Sequence, residues 1–129
     1  MNRAYDMSYQ VLEDDLDLQL LIQLKLRRDS RLKFAGATTN FDDGIELVRS
    51  VKCQILILDH FIEGRIMGLE AAPLIKAVNP EIKIILFTSH DLAVEASREP
   101  AIDVYLQKRD MNKLLPTMLR LLNMDSLVD

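Results

Sequence analysis

Four stretches of the chain each carry an apolar run into a residue able to do chemistry: VLEDD (11–15), ILILDHFIEG (55–64), IILFTS (84–89) and VYLQK (104–108). They deliver Glu13, Asp14 and Asp15, then Asp59, then Thr88 and Ser89, then Lys108. Carboxylates that converge and lose solvent raise one another's pKa and destabilise a fold unless a cation intervenes. Hard oxygen ligands with a position left open suit Mg²⁺, which keeps waters and takes one or two carboxylates plus a phosphoryl oxygen. In such a centre Asp59 has two uses, as a third metal ligand or as a nucleophile toward a phosphoryl donor, since carboxylates form aspartyl phosphates. The Lys108 ammonium would spread the charge of the transferring group, and Thr88 would hydrogen-bond one of its oxygens.

That chemistry requires the four stretches to end at one place. The spacing predicts strands over Met7–Leu12, Lys33–Ala37, Ile55–Leu58, Ile82–Phe87 and Val104–Leu106. Between and after them it predicts helices over Leu16 to about Arg28, Phe41–Val51 with Asn40 as N-cap, Gly68–Val78, Leu92–Arg98 and Met111–Leu122. The third helix stops before Asn79-Pro80, because proline disfavours helix in its predecessor. Five β–α units in succession argue for a parallel sheet with helices on both faces. The nearly continuous Ile/Leu of the third and fourth strands fits strands covered on both sides. Right-handed crossovers leave few topologies, and ligands in such sheets bind beyond the carboxyl ends of the strands. The acids, the hydroxyl and the ammonium all stand just past those ends.

The totals exclude several alternatives. A chain of 129 residues, 49% of them apolar, makes one domain. A net charge of -4 leaves no basic footprint for direct nucleic-acid binding. Cys53 is the only cysteine, which rules out an intrachain disulfide, fits a reducing compartment and is expected to be an inert buried thiol. Met1–Gln10 is too polar for a signal peptide, and no apolar run approaches the roughly 20 residues that would span a bilayer, so a cytoplasmic location is expected. No Gly-rich phosphate cradle is present. The expected organisation is a flexible segment over 1–6, a domain over 7–123, and a tail or the start of a linker over 124–129.

Taken in order, the four stretches make the chain resemble the receiver domain of two-component response regulators, over about Met7 to Asn123. The resemblance implies a flavodoxin-like (βα)5 doubly wound α/β fold, with a five-stranded parallel sheet in strand order 2-1-3-4-5. It implies that Asp59 is the phosphoacceptor. Glu13 and Asp14 would be the acid pair holding Mg²⁺, with Asp59 and the main-chain carbonyl of Phe61 as further metal ligands. Thr88 would be the switch hydroxyl, Lys108 the ion-pair partner of the phosphoryl group, and Tyr105 the switch aromatic. The partner would be a sensor histidine kinase or a phosphotransfer protein. The domain would signal rather than act as an enzyme, apart from its own Mg²⁺-dependent phosphorylation and slow dephosphorylation.

Three adjacent acids make the register a choice. Taking Glu13 and Asp14 as the pair places Leu18, Leu21 and Ile22 where the family's first helix faces the sheet, and leaves Asp15 as a solvated acid of the helix's first turn. Several positions depart from the family. Gln10 interrupts an apolar strand, one extra residue separates Asp59 from Gly68, and Glu63 stands where proline is common. The stretch from Thr88 to Lys108 is short, without the usual glycine before the fifth strand, so the fourth helix should be short or displaced. Arg109 replaces the proline often found after the lysine, where a cis bond would cost a few kcal/mol. Pro116 requires the last helix to start late or kink. The shortened region favours a second function, a degenerate receiver that binds partners without phosphorylation. A haloacid-dehalogenase-like phosphohydrolase would need an aspartate where Phe61 stands. His60 and His90 have no metal-ligand spacing and are read as loop residues. One feature the resemblance does not explain is a ridge of Leu16, Leu20 and Leu24, four residues apart and roughly 100° from the sheet-facing side. It is expected to dock a partner, either a kinase or phosphotransfer helix or a second copy in a homodimer.

Overall fold

The computed structural model describes residues 7–123; the expectations for 1–6 and 124–129 lie outside the described residues. The elements run β1 (Met7–Leu12), α1 (Leu16–Leu26), β2 (Leu32–Thr38), α2 (Phe41–Ser50), β3 (Ile55–Leu58), α3 (Gly68–Val78), β4 (Lys83–Thr88), α4 (Ala93–Ser97), β5 (Val104–Gln107) and α5 (Leu114–Leu121). The strands form one parallel sheet in the order β2-β1-β3-β4-β5, the doubly wound order that the resemblance implies. β3 is buried at all four positions and splits its side chains between two cores. Ile55 and Ile57 join Val11, Ile22, Leu26, Phe87 and Met118 under α1 and α5. Leu56 and Leu58 join Leu12, Val48, Ile75 and Leu86 under α2 and α3. Burying each such side chain stabilises the fold by about 1.5–3 kcal/mol, and this two-sided burial makes the centre of the sheet rigid.

The anticipated Asn40 cap forms, and Asp15, expected as a solvated first-turn acid, proves to be the N-cap of α1. The Asp15 carboxylate accepts from the N–H groups of Asp17 and Leu18 at the start of α1, and Asn40 Oδ1 accepts from Asp43 N–H at 2.8 Å in α2. The face of α1 differs from expectation. Ile22 is buried and Leu18 half-buried, but Leu21 is 44% exposed and Gln19 takes the buried position instead. Gln19, Ile22 and Leu26 lie on one stripe at helical spacing. Gln19 is accepted there because its Nε2 donates to the carbonyls of Glu13 at 2.7 Å and Thr38 at 3.0 Å, tying α1 to the ends of β1 and β2.

The departures each have a structural reason. Gln10 points at the C-terminal end of α2 and donates from Nε2 to the Val51 carbonyl at 2.9 Å. That satisfies one of the carbonyls a helix end leaves open. Glu63 joins the loop after β3 to the loop after β2: its N–H donates to the Thr39 carbonyl at 3.1 Å, and its carboxylate accepts from the Thr39 hydroxyl at 3.1 Å. The lengthened loop turns at Gly64, whose φ of +119° other residues rarely adopt. α4 has only five residues. No cis peptide is present among the described residues, so the bond before Arg109 is trans. The last helix starts late, as an α-helix from Leu114 preceded by a 3₁₀ segment over Lys108–Lys113, not as one helix from Met111. Pro116 then falls in the first turn, where no intrahelical N–H is needed. At the opposite end of the sheet, the Asp103 carboxylate accepts from Ile84 N–H at 2.8 Å and from Lys76 Nζ at 3.0 Å, while Asp103 N–H donates to the Ile84 carbonyl at 2.9 Å.

Candidate functional site

Parallel registry brings the strand ends together. β1 and β3 pair Leu12 with Leu58, so Glu13 and Asp59 follow on neighbouring strands. β3 and β4 pair Leu58 with Leu86, and β4 and β5 pair Thr88 with Gln107, which puts Lys108 just past the edge strand. Glu13, Asp14 and Asp59 each offer a carboxylate oxygen, and these oxygens lie within 4.8 Å of one another. Glu13 is 2% exposed and Asp59 5%, while Asp14 faces solvent. Lys108 Nζ bridges the two buried acids at 3.0 Å from Glu13 Oε1 and 3.0 Å from Asp59 Oδ2.

The remaining oxygens are held by backbone. Asp59 Oδ1 accepts from His60 N–H at 2.7 Å, and Glu13 Oε2 from Asp15 N–H at 3.1 Å. Asp59 N–H itself donates to the Leu12 carbonyl at 3.0 Å, extending the β1–β3 ladder to the acid. Burial pushes the Glu13 carboxyl up to about 7, and the neighbouring Asp59 charge adds to the rise; the Lys108 and Asp15 hydrogen bonds pull the other way. Burial alone would lower the pKa of the Lys108 ammonium, but Asp59 and Glu13 override it and hold it above its usual value. Three carboxylates and one ammonium leave an excess of negative charge in a partly desolvated pocket. All-oxygen donors with one acid open to solvent fit a divalent cation of the Mg²⁺ type.

Thr88 is fully buried at the end of β4, and its Oγ1 accepts from His90 N–H at 3.4 Å. Tyr105 is half-buried on β5 with its hydroxyl tied to the loop after β4. That hydroxyl donates to the His90 carbonyl at 2.8 Å and accepts from Leu92 N–H at 3.0 Å and from Gln107 Nε2 at 3.1 Å. Phe61 lies on the loop two residues past Asp59, with its ring 4.8 Å from that of His60 and 4.4 Å from that of His90. Burial lowers the His60 pKa, and its Nδ1 accepts from Leu69 N–H at 3.3 Å, so this histidine serves the loop. Cys53 is buried, which pushes its thiol up to about 12. Leu16, Leu20 and Leu24 are exposed on the outer side of α1.

Sequence reasoning missed four supporting residues. Gln19 steadies the Glu13 carbonyl, the His60 N–H holds Asp59, and Gln107 holds Tyr105. Gly68 lets the start of α3 press against the backbone of Asp59 and His60, where a Cβ would collide with the Asp59 carbonyl. Only for Gly68 was a signal present, a glycine opening a helix where it has no propensity advantage.

The sequence matches the response regulator receiver domain family over residues 10–120. No curated protein sequence matches. Among solved structures, the fold is similar to a DNA-binding response regulator of the LuxR family from Staphylococcus aureus, at 22% identity and a TM-score of 0.81, covering 91% of this chain and 99% of that one. It is also similar to a LuxR-family two-component response regulator from Aurantimonas sp. SI85-9A1, at 18% identity, a TM-score of 0.83 and coverage of 91% and 85%. A third is the isolated REC domain of RcsB from Salmonella enterica serovar Typhimurium in the presence of the phosphomimetic BeF3-, at 19% identity, a TM-score of 0.82 and coverage of 93% and 90%. Likenesses at this identity speak for the fold, and the family match covers most of the sequence: the chain belongs to the response regulator receiver domain family of two-component systems.

Proposed function

We propose that this domain accepts a phosphoryl group on Asp59 with the help of Mg²⁺, and that the modification changes its affinity for a partner. The observation that carries the reading is the Lys108 ammonium at 3.0 Å from both Asp59 and Glu13, in a pocket where three carboxylate oxygens converge within 4.8 Å. Asp59 would attack the phosphorus of a phosphohistidine on a sensor kinase or phosphotransfer protein, or of acetyl phosphate. The new bond is O–P; the P–N or P–O bond to the donor breaks, and its electron pair leaves with imidazole or acetate. A cation held by Glu13, Asp14, Asp59 and the Phe61 carbonyl would neutralise charge on the transferring group. Lys108 would exchange a carboxylate contact for a phosphoryl oxygen, and the Thr88 hydroxyl would turn from the loop to donate to another. Tyr105 would follow by giving up its hydrogen bonds to residues 90–92. Water later hydrolyses the acyl phosphate, so turnover is limited to self-modification and slow release. Such a domain would work in a reducing compartment such as the cytoplasm; among the described residues no helix is long and apolar enough to cross a membrane.

The five-residue α4 favours one other reading, a receiver that binds partners without being phosphorylated. Intact mass after acetyl phosphate and Mg²⁺ separates the two. An adduct of about 80 Da on the natural chain, absent from Asp59→Asn, supports phosphorylation; its absence from both leaves the interaction module.

A further inference from the structure

The outer face of α1 is apolar and exposed. Leu16 is 66% exposed, Leu20 54%, Leu21 44% and Leu24 46%, an apolar patch on one helix that packing among the described residues leaves open. Beside it a groove of about 210 Å³ runs between α1 and the edge strand β2, lined by Leu20, Leu24, Leu32 and Phe34 among others. The charges at its two ends are opposite. Asp17 lies in the first turn, and Arg28 follows the C-cap Arg27, whose backbone is still right-handed helical at φ −62° and ψ −15°. Both are exposed, and neither has an ion-pair partner among the described residues.

Asp17, Leu21, Leu24 and Arg28 are spaced four, three and four apart. At about 100° per residue this spacing keeps them on one narrow seam, as in a coiled coil. In an isologous contact residue i meets j while j meets i. Two such seams laid antiparallel therefore pair Leu21 with Leu24 twice at the centre and Asp17 with Arg28 twice at the ends. A parallel arrangement would set Asp17 on Asp17 and Arg28 on Arg28. We propose that α1 is a homodimerisation surface, in which two copies pack antiparallel along Asp17, Leu21, Leu24 and Arg28 with Leu20 filling the flank. The seam is short, so the contact belongs to the small, weak class of interfaces, and its charged ends fix direction more than strength.

Sedimentation equilibrium on the unphosphorylated chain tests this independently of any phosphoryl chemistry. The mass should rise from 14.8 kDa toward twice that value, with half-association at about 100 µM, the range of weak transient contacts. Leu24→Lys, at a position already half exposed, should keep the chain monomeric with an unchanged circular dichroism spectrum. Asp17→Arg and Arg28→Asp should each weaken association at least fivefold, and the two together should restore it. Three results would overturn the proposal: a monomer at about 1 mM, a dimer untouched by Leu24→Lys, or charge reversals without effect singly. Any of them would assign the leucine face to another partner or to none.

Discussion

Glu13 gives the sharpest test of how the pocket is balanced. Its carboxyl is raised from 4.5 to about 7, first by burial and then by the charge of Asp59. The folded state therefore holds this proton more tightly than the unfolded chain, and the sign follows. Below about 4.5 both states are protonated and the group costs nothing. As pH rises from 4.5 to 7, ionisation is progressively harder in the folded state, and stability falls. Above 7 the loss is complete, at on the order of 3 kcal/mol. Glu13→Gln keeps the shape and removes the charge. In EDTA, urea denaturation of the variant should match the natural chain near pH 5 and exceed it by up to about 3 kcal/mol at pH 8.5. His60, whose lowered pKa works in the opposite sense below 6.5, is common to both proteins and cancels in the difference. Mg²⁺ should then close most of this gap at pH 8.5, since a ligand at about 100 times its Kd stabilises by about 2.7 kcal/mol and the variant has lost a donor. Parallel stability curves for the two proteins across this range would refute the reasoning.

Other perturbations follow from single contacts. Lys108→Met leaves two buried carboxylates without their shared counter-charge and should lower stability at pH 8 by about 3 kcal/mol, read from the urea midpoint, with much of the loss recovered at pH 5. Gly68→Ala should destabilise by about 2 kcal/mol, although alanine is the better helix former, because its Cβ meets backbone of Asp59 and His60 that cannot turn aside. Tyr105→Phe removes one donor and one acceptor from the 90–92 loop; hydrogen exchange at Leu92 N–H should accelerate about tenfold while core amides stay unchanged. Asp15→Ala should cost about 1 kcal/mol through the lost cap of α1, without affecting Mg²⁺ binding.

Much of this was legible in local pattern. β1, β3 and α3 occupy the residues their spacing indicates, because a buried Ile/Leu strand and a helix stopped at Asn79-Pro80 leave little choice. The four strand ends could be aligned from the order of β–α units alone, which brings Glu13, Asp14, Asp15, Asp59, Thr88 and Lys108 to one edge of the sheet; singling out Glu13 and Asp14 among the three acids took the family resemblance. α1 misled because it is apolar nearly all round, so periodicity could not tell Leu21 from the buried stripe. The rest depends on pairs distant in the chain: Gln10 with Val51, Glu63 with Thr39, Lys76 with Asp103. No window of the sequence contains both members of such a pair. Isolated, Gln10 reads as a flaw in a strand, whereas in the fold it closes the end of a helix.

The tie at Asp103 bears on how the edge of the sheet can respond to the site. β5 is four residues long, and its base is fastened to β4 by two hydrogen bonds and to α3 by an ion pair. Its far end carries Tyr105, whose ring packs on the core while its hydroxyl ties the 90–92 loop, and Lys108, which reaches the acids. The ladder to β4 then runs on to the pairing of Gln107 with Thr88, so β5 is held along its whole length. A pull on Lys108 therefore meets a strand fixed at both ends, and the first backbone outside the ladder is the 3₁₀ turn leading into α5.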